Sequence, residues 1–140
     1  MLHEERTDLD VESPSELAAS YRQELASVVE EHGREAVADE SSVDGELLDA
    51  LLAGEDPDLS LTDAAAIQAV GTDLDAETIE IEAREHVLLG MSMAVLDVDT
   101  LAAEYEGEHS AKAIQQRLEG RAPTSLAEFA RIEYAVVSRR

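Results

Sequence analysis

Cysteine is absent from this 140-residue chain, and lysine occurs once, at Lys112. Without cysteine, disulfide frameworks, thiolate metal sites and thiol nucleophiles are excluded together. Aromatic side chains are scarce as well. Tyr21, Tyr105, Phe129 and Tyr134 are the full set, so any interior must be built from Leu, Val, Ile, Ala and Met. No apolar run approaches the roughly 18 residues of a membrane-spanning helix, and the opening MLHEERTDLD is polar and acidic. Neither a signal peptide nor a membrane span is therefore expected, and the chain reads as a soluble, cytoplasmic protein. Glycine-rich phosphate loops and Ser-His-Asp arrangements are also missing. The histidines His3, His32, His86 and His109 are scattered, and Glu82 with His86 stands at i, i+4 without further ligand spacing. No enzyme activity, cofactor or metal site is expected.

What is present is helical periodicity. Apolar residues make up 44% of the chain, enough for one domain or for two small halves sharing a core. Residues 1–12 carry no periodic pattern and are expected to form a flexible acidic tail. Ser13-Pro14-Ser15-Glu16 is a capping box with proline at the first helical position. Leu17, Tyr21, Leu25, Val28 and His32 then form one stripe of a long helix that Gly33 ends. Short helices are expected over 34–40 and 45–53, the second capped by Asp44. Asp56-Pro57-Asp58 forces a turn, and Ser60 caps a helix to about Val70. After Gly71-Thr72-Asp73, Asp75 caps a second long helix with the stripe Ile79, Ala83, Val87, Met91 and Val95, and with Gly90 inside it. Asp99 starts a short helix through Tyr105, Ser110 caps residues 111–119, and Ser125 with Glu128 caps a last helix striped by Leu126, Phe129, Ile132, Ala135 and Val136.

The stretch Ala38 to Gly54, ADESSVDGELLDALLAG, organises the first half. Ala38 is a small residue for a helix crossing, Ser42–Val43 supply a turn and an apolar plug, and Asp44 is an N-cap. Leu48 and Leu51 form the inward stripe, Leu52 is expected to be buried with them, and Gly54 closes it. Two short helices crossing at about 90–120° need those residue types in that order. The stretch resembles the helix-turn-helix of the Cro and phage-repressor superfamily. The second half departs from that pattern, with one extra residue between Ala103 and Ser110 and with Arg117 where an apolar plug belongs. Over a longer span, His86-Val87-Leu88-Leu89-Gly90-Met91, AVLDVDTLA (94–102) and IQQRLEGRAP (114–123) are similar to an uncharacterised haloarchaeal protein family. That resemblance implies no function.

The two halves repeat. Gly54 and Gly120 are 66 apart, as are Pro57 and Pro123, Leu48 and Ile114, and Leu52 and Leu118; Ser60 and Ser125, Leu61 and Leu126, and Ile67 and Ile132 are 65 apart. An ancient duplication explains these offsets. The expected fold is all-α, with two pseudo-repeated four-helix units, each containing a helix-turn-helix, packed together. The first unit covers 13–71 and the second 72–140.

Acidic residues number 33 against 10 basic, a formal net charge of −23. The acids are spread along regular apolar periodicity rather than blocked together, which is how proteins of salt-in halophiles look. Charge is also unevenly distributed. Residues 1–109 hold 4 basic and 30 acidic side chains, whereas 110–140 hold 6 basic and 3 acidic, reversing the sign. In a DNA-reading helix-turn-helix the second helix enters the major groove and its first exposed turns reach base edges. In the first unit those places are Asp44, Gly45, Glu46, Asp49, Ala50 and Ala53, carboxylates facing a polyanion. In the second unit they are Ser110, Ala111, Lys112, Gln115 and Gln116, with Arg117 and Arg121 alongside, which makes Ser110, Lys112, Gln115, Gln116, Arg117 and Arg121 the candidate nucleic-acid-binding residues. Two functions follow from different classes. One is a DNA-binding regulator acting on double-stranded DNA through its second unit. The other is a non-catalytic interaction module that binds a protein, or a second copy of itself, on a scaffold that no longer contacts DNA.

Overall fold

The computed structural model describes residues 1–4, 9–104 and 110–139. Among them the chain is all-α: α1 Pro14–His32, α2 Arg34–Ser41, α3 Gly45–Leu52, α4 Leu61–Val70, α5 Ala76–Met93, α6 Val98–Glu104, α7 Ala111–Leu118 and α8 Leu126–Val137. No helix among the described residues is long and apolar enough to cross a membrane. Tyr105 and His109, which the sequence pattern places at the end of α6 and in the loop before α7, lie outside the described residues.

Side-chain caps set most helix starts. The oxygens of Ser13, Asp44, Ser60, Asp75, Ser110 and Ser125 each accept from the amide of the second or third helical residue. α6 starts one turn-residue earlier than expected. Asp97, not Asp99, accepts from the Thr100 amide at 2.8 Å, and Asp99 sits in the first turn. These amide contacts hold the Asp97 and Asp75 carboxyls below the ordinary aspartate value, the Thr100 and Thr78 N–H groups being the main causes.

One continuous core joins the two halves. α1 lies chiefly against α8, and α4 against α5, so each long helix packs on the last helix of the opposite half. Where the halves meet, Ser60 and Ser125 pair as a short antiparallel bridge. The Leu61 amide donates to the Thr124 carbonyl at 2.8 Å, and the Leu126 amide donates to the Leu59 carbonyl at 2.7 Å. Nearby, Tyr21 of α1 donates to the buried carboxylate of Glu133 on α8, and the Tyr21 and Phe129 rings lie 6.4 Å apart.

Several positions differ from the sequence pattern. In α1 the inward row is Leu17, Tyr21, Leu25 and Val29, while Val28 is only partly buried and His32 is exposed. An unbroken i, i+4 row inclines across the helix axis, which suits a helix crossing its partner at an angle. Leu52 is exposed, unlike Leu48 and Leu51. It lines a groove of about 470 Å³ beside Ala19, Ala26 and Ser27, whose small side chains leave it uncovered. Val95 does not end the α5 stripe. The helix stops at Met93, and Val95 turns the chain with φ +56° and is 90% exposed. Residues 1–12 have no periodicity, yet Leu2 is buried and its amide donates to the buried Gln68 side chain at 3.0 Å. Single anchors of this kind leave no trace in a periodic pattern.

Candidate nucleic-acid interface

α7 is fixed from three sides. Ser110 caps it by accepting from the Ala113 amide at 3.1 Å, and Ile114 and Leu118 are buried one turn apart. Gly120 then ends it at φ +76°, a left-handed conformation that favours glycine, with the Arg121 amide donating back to the Gln116 carbonyl at 2.8 Å. The Arg84 guanidinium of α5 lies directly over Gly120, where an added Cβ would come within 2.9 Å of its Cζ. Arg84 is itself held by Glu80 at 2.9 Å, and Thr62 of α4 donates to the same carboxylate oxygen at 3.0 Å.

With Ile114 and Leu118 inward, the outward side is set. Lys112, Gln115, Gln116, Glu119 and Arg121 are all exposed. The Gln115 amide donates to one Glu119 oxygen at 3.1 Å, and Arg121 Nε lies 3.3 Å from the other. Arg117 is separate from this group. Its side chain is only 20% exposed and its guanidinium is ion-paired with Glu128 of α8. The sequence pattern puts an arginine where an apolar plug belongs, and the fold resolves that conflict with a carboxylate from the next helix. Of the six candidates, then, Lys112, Gln115, Gln116 and Arg121 share an exposed surface, Ser110 spends its oxygen as a cap, and Arg117 is turned to the interior. Fixed positive dipole at the N-terminus of α7 adds to the side presented by Ser110 and Lys112.

α3 presents a different surface. Asp44 caps it through the Glu46 amide at 3.0 Å, and Asp44, Glu46 and Asp49 are exposed. Arg34 of α2 binds Asp49 through two bonds of 2.9 and 3.2 Å. That pairing holds the Asp49 carboxyl below the ordinary value and raises the Arg34 guanidinium. The remaining carboxylates keep the surface acidic.

A family model described as a family of unknown function, DUF5791, matches residues 17–139. The chain belongs to DUF5791. No curated protein and no solved structure matches it. The DUF5791 match runs through all eight helices of the described residues and leaves the assignment of the α7 surface to its chemistry. Among the described residues no group of three His, Cys, Asp or Glu side chains stands close enough to hold a metal ion.

Two features of this DUF5791 chain escape a reading by core stripes. One is the pair of arginines reaching across to glycines of another element, Arg34 to Gly45 and Arg84 to Gly120. The signal available was the coincidence of a lone arginine with acidic partners in an otherwise acid-dominated segment. The other is the outer side of α5, where Ile81, Leu88, Leu89 and Met93 are exposed. Ile81, Leu88 and Leu89 lie on the side opposite the core stripe, with Met93 at its edge.

Proposed function

We propose that this chain is a helix-turn-helix-type DNA-binding regulator that contacts duplex DNA through α7. The observation that carries the reading is the outward side of α7, where Lys112, Gln115, Gln116 and Arg121 stand with a single acid, Glu119, in a chain of 33 acids. Glutamine can bond adenine through two hydrogen bonds, and lysine or arginine can address guanine or phosphate. Arg117 is left out of the contact set because Glu128 already holds it.

The reading includes two pseudo-repeated helix-turn-helix units of four helices each. Supporting it, both halves run long, short, short and medium helix. Gly54 and Gly120 share φ +76°, and the caps Ser60 and Ser125 have φ, ψ of −75°, 157° and −78°, 158°. The reciprocal bonds of Leu61 and Leu126 across the Ser60–Ser125 bridge are those of a local two-fold. The acidic, lysine-poor surface fits a chain working in concentrated salt, where the Debye length is about 3 Å at 1 M and carboxylate repulsion is screened. Phosphate contacts each lose about 0.9 log units of affinity per tenfold rise in salt. A regulator in such salt therefore relies on base-edge contacts, which the paired glutamines supply.

The second reading is an interaction module that binds no DNA. It is favoured by Glu119, which occupies both Gln115 and Arg121, and by the carboxylates of α3. Recovery of genomic fragments at molar KCl separates the two. The DNA reading expects the wild-type chain to enrich a defined set of fragments and Lys112→Glu to lose it. Background recovery from both proteins overturns it in favour of the module.

A further inference from the structure

We infer that the outer side of α5 is a self-association surface, and that its occupant is the same side of a second copy of this chain. Ile81, Leu88 and Leu89 are 39–48% exposed, Met93 is 60% exposed, and Val95 just beyond the helix is 90% exposed. At 100° per residue, positions 81, 88 and 89 share one side of α5, whereas Ile79, Ala83, Val87 and Met91 bury the other. The C-terminal half of α5 is thus apolar on both sides, a pattern expected of a helix covered on both.

Charge selects the occupant. In a chain where 31% of residues are charged, the run 86–96, HVLLGMSMAVL, has no acid, lysine or arginine. A partner steered by charge would be drawn to the acidic surfaces and not to this one. For two copies carrying −23 each, docking this side onto other helices brings it against exposed carboxylates, such as Asp44 and Glu46 on α3 or Glu30 and Glu31 on α1. Its own symmetry mate presents a charge-free stretch. An antiparallel pairing about a two-fold axis at the level of Leu89 sets the exposed Glu85 of one copy beside Met93 of the other, away from its own mate. A contact of this kind is isologous and closes on itself.

Backbone conformation at the edge of the patch points the same way. Val95 holds φ +56°. The Leu96 amide donates to the Met91 carbonyl at 2.8 Å and the Ala94 amide to the Gly90 carbonyl at 2.9 Å, a helix ending that normally takes glycine at the position of Val95. A β-branched residue with positive φ is a strained choice. Its side chain is almost fully in solvent, so burial within the monomer does not compensate for the strain. Strained residues of this kind concentrate where a contact needs them, and a second copy supplies one. The inference stands whether or not α7 touches DNA.

Sedimentation equilibrium on the full chain tests it. The wild type should dimerise in about 2 M KCl with a dissociation constant below about 100 μM. The dimer should weaken as KCl is lowered, because screening of two highly negative bodies is lost. Leu89→Glu should be monomeric with unchanged helical circular dichroism, and Leu88→Gln serves if that variant does not fold. Val95→Gly should raise the melting temperature of the monomer yet weaken the dimer roughly tenfold. A wild type that stays monomeric at 100 μM, or a dimer that Leu89→Glu and Leu88→Gln leave intact, overturns the inference.

Discussion

Tyr21 and Glu133 show how one polar contact can tie two distant segments. Glu133 is 3% exposed in the middle of α8, among Phe129, Ile132 and Val136. A carboxylate there is tolerated only with donors aimed at it. Tyr21, 112 residues earlier on α1, supplies one such donor from a ring that is also core. Tyr21→Phe keeps the ring and removes that donor. Stability should fall by about 1.5–3 kcal/mol, the range for hydrogen bonds to charged groups. Denaturant titration in high KCl reads the change, and a loss below about 0.5 kcal/mol would mean that the other groups around Glu133 satisfy it alone. Nothing in the sequence pairs these residues. Tyr21 is visible as a stripe position and Glu133 reads as one more acid, because a stripe reports which side faces inward and not what waits there.

At the scale of the element, helix starts and ends were the most legible features. Ser13, Asp44, Ser60, Asp75, Ser110 and Ser125 all cap where the pattern places them, since a cap is decided by residues three or four apart. Features depending on the neighbouring helix were not legible: the groove that leaves Leu52 uncovered, the Glu128 partner of Arg117, and the arginine over Gly120. On α7 the side chains of Lys112, Gln115, Gln116 and Arg121 are exposed, whereas Arg117, expected alongside them, pairs with Glu128. Gly54 and Gly120 allow the local and tertiary contributions to be separated. Both sit at φ +76°, but an added Cβ meets nothing within 4 Å at Gly54, whereas at Gly120 it meets Arg84. Alanine at either glycine should cost about 1–2 kcal/mol for the left-handed backbone. Gly120→Ala should cost more than Gly54→Ala, and the excess should vanish in an Arg84→Ala background. A double-mutant cycle by thermal unfolding measures that coupling. Equal costs in both backgrounds would mean that the guanidinium moves aside freely.

Across the whole molecule, the arrangement of helices argues against two independent domains even though each half contains the same series of elements. α1 finds its main partner in α8 and α5 finds its own in α4, so the largest single contact of each long helix is with the opposite half. The backbone bonds between 59–61 and 124–126 cross the same boundary, as does the Tyr21–Glu133 contact. A half alone would expose the α8-facing side of α1, including Tyr21, and would leave the Leu59 carbonyl and Leu61 amide without their partners. It would also keep only about 70 residues, a size at which a single core is marginal. The fragment 1–71 should therefore lack a cooperative thermal transition in molar KCl, and so should 72–140. Mixed in equal amounts, the two should regain the helical signal and a single melting transition whose midpoint rises with concentration, as expected when folding is linked to association. A fragment 1–71 that melts cooperatively by itself, at a temperature independent of its concentration, would show that the first four helices hold their own core and that contacts with α8 only add to it.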